Sequence, residues 1–248
     1  MVLLTSHLDK DIREGFRPFC LIGNAGTVNT GAIDDLEALA TIAEKYGMWY
    51  HIDGAYGALA GILNPLKHLY KGMEKADSIA LDFHKWLYVP FEGGCTLVRS
   101  WDKLRRTYFK KAAYLDTDLG TTENRLEFNE HYFQLSRNAK AFKVWMTIKA
   151  YGMERIKAMI QKDIDLTYFL NEKIINASDF ELMATSHLAV SCFRYIQGMK
   201  DSETIDKFNK ELMPALEQDG RVFIMGTQLK EGYAIRACFI NHRKTKAT

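Results

Sequence analysis

Three short apolar runs, each closing on a polar elbow, constrain the fold of this 248-residue chain more than any other feature. Phe19 to Gly23 opens into Asn24-Ala25-Gly26-Thr27, Met48 to Ile52 into Asp53-Gly54-Ala55-Tyr56, and Ser78 to Leu81 into Asp82-Phe83-His84-Lys85-Trp86. A fourth run covers Cys95 to Val98. Runs this short and nearly continuous read as strands covered on both faces, and such strands linked by helices build a mostly parallel sheet. Asp34 or Asp35 can cap a helix reaching about Lys45, with Leu36, Leu39, Ala40, Ile42 and Ala43 on one face and Gly47 as its stop. Ligands gather at the carboxyl ends of the strands in these sheets, so the three elbows are expected to converge.

Further along, residues 101–133 are polar and aromatic-rich with weak periodicity, and read as a helix followed by a long connection that contains Tyr108 and Tyr114. Loops of that length are uncommon unless they serve a function or are disordered. Two helices are expected over Asn138 to Ala150 and Met153 to Ile175. After Ala177 the texture changes to a strand at Leu188 to Tyr195, a helix at Ser202 to Gln218 with Ser202 as its cap, and strands at Val222 to Met225 and Tyr233 to Ile240. The expected organisation is therefore an α/β large domain over 1–150 and a small α+β C-terminal domain over 151–248.

Composition removes several function classes. The chain is 47% hydrophobic and 26% charged, which is ordinary for a globular protein and unlike a disordered one. Its 33 basic and 31 acidic side chains are mixed along the sequence, so neither nucleic acid nor a charged membrane surface is an expected partner. No apolar run approaches the roughly 18–20 residues of a membrane span. Met1-Val2-Leu3-Leu4 gives way at once to polar residues, so no signal peptide is expected and the cytoplasm is the expected location. Cys20, Cys95, Cys192 and Cys238 lack the spacing of a metal site and read as buried free thiols in a reducing compartment.

The elbows carry the chemistry. A lysine amine traps carbonyl groups when its surroundings favour the free base, and Lys85 stands beside His84 just after a buried strand. Asp53, 32 residues upstream, closes the neighbouring apolar run. A lysine for a Schiff base and a carboxylate for the pyridinium nitrogen are the pair a pyridoxal 5'-phosphate (PLP) site requires.

The ordered series Gly26-Thr27-Val28-Asn29-Thr30-Gly31-Ala32-Ile33-Asp34, His51-Ile52-Asp53-Gly54-Ala55-Tyr56 and Asp82-Phe83-His84-Lys85-Trp86-Leu87-Tyr88-Val89-Pro90 resembles the group II PLP-dependent amino acid decarboxylases. Leu135-Ser136-Arg137, Ala141-Phe142-Lys143-Val144-Trp145 and Arg236 to Arg243 extend the resemblance over nearly the whole chain. It implies PLP fold-type I, of the aspartate-aminotransferase kind, with part of the large domain and the small C-terminal domain present. It implies that Lys85 forms the internal aldimine, that Asp53 pairs with the pyridinium nitrogen, that Ala55 lies against one ring face, and that His84 neighbours the phosphate and aldimine.

Tyr114 falls where the family has a tyrosine on a mobile loop reaching the partner subunit's site, and a homodimer with interfacial sites is implied. Val28 stands where some members carry a threonine, which leaves Thr27 or Asn29 as substitute cofactor contacts. The implied reaction is decarboxylation of an L-amino acid, aromatic in the first instance, to the amine through a quinonoid intermediate. Two other readings stay open: an aldehyde synthase or other lyase on the same scaffold, and an inactive fragment serving only for dimerisation or binding. The latter is motivated by the family's phosphate-cradling segment upstream of the Gly-Thr elbow, which this chain lacks. Asp82, Arg137 and Asn241-His242-Arg243 receive no role from the sequence.

Overall fold

Two four-stranded sheets organise the chain in the computed structural model, which describes residues 1–109 and 128–246. In the first, β1 (Cys20–Asn24), β2 (Trp49–Asp53), β3 (Ser78–Asp82) and β4 (Gly94–Val98) lie side by side in chain order. The pairs β1–β2 and β2–β3 are parallel, and β4 runs antiparallel to β3. Connection length explains the reversal. The helix over Leu36–Tyr46 bridges β1 and β2, and three 3-10 turns between Ala58 and Lys75 bridge β2 and β3. Only residues 83–93 separate β3 from β4, too few for the crossover a parallel neighbour needs.

A first helix, α1 (Val2–Arg13), was not foreseen from the sequence; of its residues only Leu8 is buried, and Asp9 accepts a 2.7 Å hydrogen bond from the Tyr46 hydroxyl. The helix between β1 and β2, α2, is capped at Asp35, whose carboxylate accepts the Ala38 N–H at 3.0 Å. It stops at Gly47, which adopts φ +64°. Leu36, Leu39, Ala40, Ile42 and Ala43 form its buried face against the sheet.

After β4 come α3 (Trp101–Tyr108), α4 (Lys140–Tyr151) and α5 (Met153–Ile175). The second sheet is antiparallel throughout, in the order β5 (Phe180–Ala184), β6 (Val190–Tyr195), β8 (Gly232–Cys238), β7 (Met225–Leu229), with α6 (Ser202–Asp219) packed on it. Three details correct the sequence reading. The strand expected at Val222 to Met225 begins only at Met225, because the tight turn at Lys230-Glu231 fixes its register to β8, and Phe223 is left 76% exposed. The cap of α6 is Asp201, which accepts the Thr204 N–H at 2.8 Å, and Ser202 is the first helical residue. All four cysteines are free, but only Cys192 is buried.

The main core is continuous across both sheets: Ile52, Tyr56 and Trp86 share it with Ile156, Ile160 and Ile164 of α5 and with Leu188 and Val190. Ile174, at the far end of α5, belongs to a second, smaller cluster with Phe193, Ile235 and Ala237. No helix among the described residues is long and apolar enough to cross a membrane.

Candidate active site

Register brings the three elbows to one edge of the first sheet. Asn24 is paired with Asp53 and Asp53 with Ala80, and the ladder continues past the strand ends through Ala25 N–H to Asp53 C=O (2.8 Å) and Gly54 N–H to Ala80 C=O (3.0 Å). Gly26, at φ +99°, lets the first elbow turn; a Cβ there would stand 2.6 Å from Leu188 Cδ1 and 2.8 Å from Gly57 Cα. The loop that follows is closed internally. Thr27 Oγ1 lies 3.1 Å from Thr30 Oγ1 and accepts the Ala32 N–H at 3.2 Å. It is also held from the second sheet, where Arg236 Nε donates to Val28 C=O (2.6 Å) and the Cys192 thiol to Asn29 C=O (3.1 Å). The Asn29 and Val28 side chains are exposed.

Asp53 ends β2 exposed to solvent. One carboxylate oxygen accepts the Ala55 N–H at 3.1 Å, and among the described residues no other donor reaches the pair. On the next strand Asp82 lies near two side-chain nitrogens: Lys85 Nζ is 2.8 Å and His84 Nε2 3.9 Å from its Oδ2. His84 Nδ1 accepts the Gly93 N–H at 3.0 Å, so in the neutral ring the proton belongs on Nε2, facing Asp82. Phe91 meets the same imidazole edge-on, with centroids 4.7 Å apart.

Beneath Lys85 the elbow is buried. Trp86 has no exposed surface and stacks on Tyr56 at 5.0 Å. Its indole N–H (3.3 Å) and the Tyr88 hydroxyl (2.8 Å) both donate to Oδ2 of Asp163, a fully buried carboxyl group on α5. Burial outweighs these donors and pushes the Asp163 pKa up to about 6. Tyr88 adopts φ +54°, a backbone conformation that costs a non-glycine residue about 1–2 kcal/mol. Its phenol is pushed up by burial and then by the Asp163 charge. His242 lies edge-on against Tyr88 at 5.4 Å, so Asn241-His242-Arg243 packs beside the elbow. Arg137 lies over the ring of Tyr132 at 4.2 Å, and Tyr114 falls outside the described residues.

Asp163 was not singled out from the sequence, and Tyr88 and Arg236 entered only within the quoted motifs, without a role of their own. Asp163 carried a signal: helical spacing sets it in the stripe of Ile156, Ile160, Ile164 and Thr167, where a charged residue needs a partner.

Residues 2–196 match the pyridoxal-dependent decarboxylase conserved domain. The chain belongs to that family. Among similar proteins, an aromatic-L-amino-acid decarboxylase of Bacillus atrophaeus is 35% identical over 243 residues, covering 98% of this chain and 51% of the relative. A phenylacetaldehyde synthase of Petunia hybrida is 28% identical, over 92% of this chain and 47% of its own length. The fold matches that of an Oryza sativa TDC solved with PLP and tryptamine, at TM-score 0.91 and 24% identity, over 97% of this chain and 50% of that one. The chain thus spans about half the length of each of these proteins.

Proposed function

We propose that this chain is the lysine-bearing part of a PLP-dependent carboxy-lyase that converts an L-amino acid, aromatic in the first instance, to its amine in the cytoplasm. One observation carries the reading: a carboxylate with an open oxygen, Asp53, and a primary amine, Lys85, follow the ends of adjacent parallel strands. That donor set fits the ring end of PLP, an anion for the protonated ring nitrogen and an amine for the aldehyde. Bound PLP supplies an electron sink for the electron pair left when carbon dioxide departs.

The residues of the chain have separable tasks. Asp53 keeps a proton on the ring nitrogen by charge attraction. Ala55 presents a small side chain to the ring face. Lys85 must leave its 2.8 Å ion pair with Asp82, and its ammonium must give up a proton to solvent, before its nitrogen can attack a carbonyl. His84 presents Nε2–H on the same side. Asn29, with an exposed side chain, is better placed than Thr27 to contact the cofactor, because the Thr27 hydroxyl is engaged within its own loop. We assign to Tyr114 the proton that replaces the lost carboxylate at Cα.

The test is chemical. PLP followed by borohydride should leave one pyridoxyl group on Lys85 by peptide mass spectrometry, and Lys85→Ala should lose it. A wild-type chain with no label on Lys85 sinks the cofactor reading and favours the binding-unit alternative. The similarity to a phenylacetaldehyde synthase motivates a second reading, separated by product: aldehyde with hydrogen peroxide as the main product replaces the decarboxylase assignment. We further propose that the chain acts as a homodimer through the exposed face of α4, where Phe142 and Trp145 stack at 5.9 Å beside exposed Met146.

A further inference from the structure

We propose that Asp163 is a positioning residue for Lys85, holding the elbow on which the lysine stands through the two side chains that flank it, Trp86 and Tyr88. The inference rests on Lys85 being the reactive amine, and it concerns a residue on a helix 78 positions further along the chain.

The elbow has few fixings of its own. Between the end of β3 and the start of β4, backbone hydrogen bonds run from Lys85 N–H to Asp82 C=O, Tyr88 N–H to Lys85 C=O, Val89 N–H to Phe83 C=O and Phe83 N–H to Gly93 C=O. These close the turn, and the burial of Trp86, Leu87 and Val89 in the main core seats it against the rest of the molecule. The directed holds are the indole N–H of Trp86 and the hydroxyl of Tyr88, which converge on one oxygen of Asp163. They sit one and three residues beyond Lys85, so a shift at the carboxylate is delivered to the lysine through a single turn. The left-handed backbone of Tyr88 needs an external hold to persist, and the 2.8 Å bond from its hydroxyl is that hold.

Asp163 is suited to positioning and to nothing at the reacting atoms. It has no exposed surface, and its second oxygen has no hydrogen-bond partner among the described residues. The charged and titratable groups facing this buried cluster are Tyr88 from the elbow, Lys162 from its own helix, Cys238 and Arg236 from β8, Tyr56 through its stack on Trp86, and His242 against Tyr88. None of these is a second acceptor for the Trp86 and Tyr88 donors.

The experiment needs no cofactor: trace acylation of the folded chain, with the extent at each lysine read by mass spectrometry and expressed as the ratio of Lys85 to exposed Lys10. Lys85 is 32% exposed at its side chain and 2.8 Å from the Asp82 carboxylate, against 63% exposure and a looser 3.7 Å pair with exposed Glu14 for Lys10. In the wild type Lys85 should react about fivefold less than Lys10, the upper range for a partly exposed ion pair. Asp163→Leu should bring the two within about twofold, whereas Asp163→Asn, which keeps an acceptor oxygen, should preserve the wild-type ratio. A role confined to global stability moves all lysines together and leaves the ratio alone. A folded Asp163→Leu chain with the wild-type ratio overturns the proposal.

Should Asp163→Leu not fold, Tyr88→Phe and Trp86→Phe remove the donors and spare the carboxyl. A raised ratio in both supports the proposal and an unchanged ratio in both overturns it. If the ratio shifts as expected while PLP and borohydride label nothing in the wild type, the cofactor reading fails and the positioning of Lys85 stands.

Discussion

A carboxyl group without exposed surface, with a pKa of about 6 against an ordinary 3.8, keeps its proton in the folded chain over a wider range of pH, up to about 6. The folded state then binds more protons than the unfolded one between those two values. Its contribution to stability is complete below pH 3.8 and is lost as pH rises through about 6, a change of about 3 kcal/mol. Asp163→Asn carries a neutral amide at every pH, so urea unfolding should show a flatter slope between pH 4.5 and 7.5 and a gain of about 1–3 kcal/mol at the upper end. A slope equal to that of the wild type would remove Asp163 as its source. At Asp82 the expectation is kinetic: Asp82→Asn releases the Lys85 ion pair, and the chain should capture a small aldehyde under borohydride up to about fivefold faster. Slower capture would instead make Asp82 the proton acceptor that the attack needs. Gly26→Ala should cost about 3 kcal/mol or more in thermal or urea unfolding, because a positive φ and a backbone contact oppose it together. Lys85 and Asp53 could be singled out from the sequence because an amine and a carboxylate each close a short apolar run, although β2 and β3 are only partly buried. Asp163 was legible only as a misplaced charge; periodicity names the stripe it lies on and not the donors it faces.

Elements were legible to the extent that local chemistry marks their ends. Asp35 and Gly47 bracket α2 as expected, and Asp35→Ala should lower stability by about 1 kcal/mol through the lost bond to Ala38 N–H. The same logic moves the cap of α6 by one residue. Asp201→Ala should cost about 1 kcal/mol and Ser202→Ala a few tenths, and thermal melts that reverse this order would restore Ser202 as the cap. Strand positions were legible where the apolar run and the paired segment coincide, as in β1 to β4. They parted at β7, where a hairpin register and not hydrophobicity sets the start. β5 escaped notice because Glu181 interrupts its short run, its charge being met across the strand pair by Arg194 at 2.7 Å. The antiparallel turn of β4 was beyond any reading of periodicity, since period 2 carries no strand direction.

At the scale of the molecule, the sequence separated a large and a small unit near residue 150, while the main core runs through both sheets by way of α5. Helical spacing shows which residues of α5 are buried but not which neighbours cover them, and that is why the shared core was not legible. The exposed aromatic face of α4 carries an association prediction. Sedimentation should show a concentration-dependent dimer, and Trp145→Glu should shift it towards monomer by tenfold or more in Kd, roughly 1.4 kcal/mol. A wild-type chain that stays monomeric at high concentration rejects that face as an interface.

The loop after Gly26 has a consequence for how the molecule assembles in time. Its holds on Arg236 and Cys192 span 208 and 163 residues of chain, whereas the turn under Lys85 closes within residues 82–94. Contacts of long sequence separation carry the larger closure entropy and come late in folding. A chain leaving the ribosome therefore completes the turn that carries its amine well before the last strands arrive to fasten the loop beside it. Synthesis stalled ahead of β6 would leave Lys85 on a finished turn next to an unfastened one.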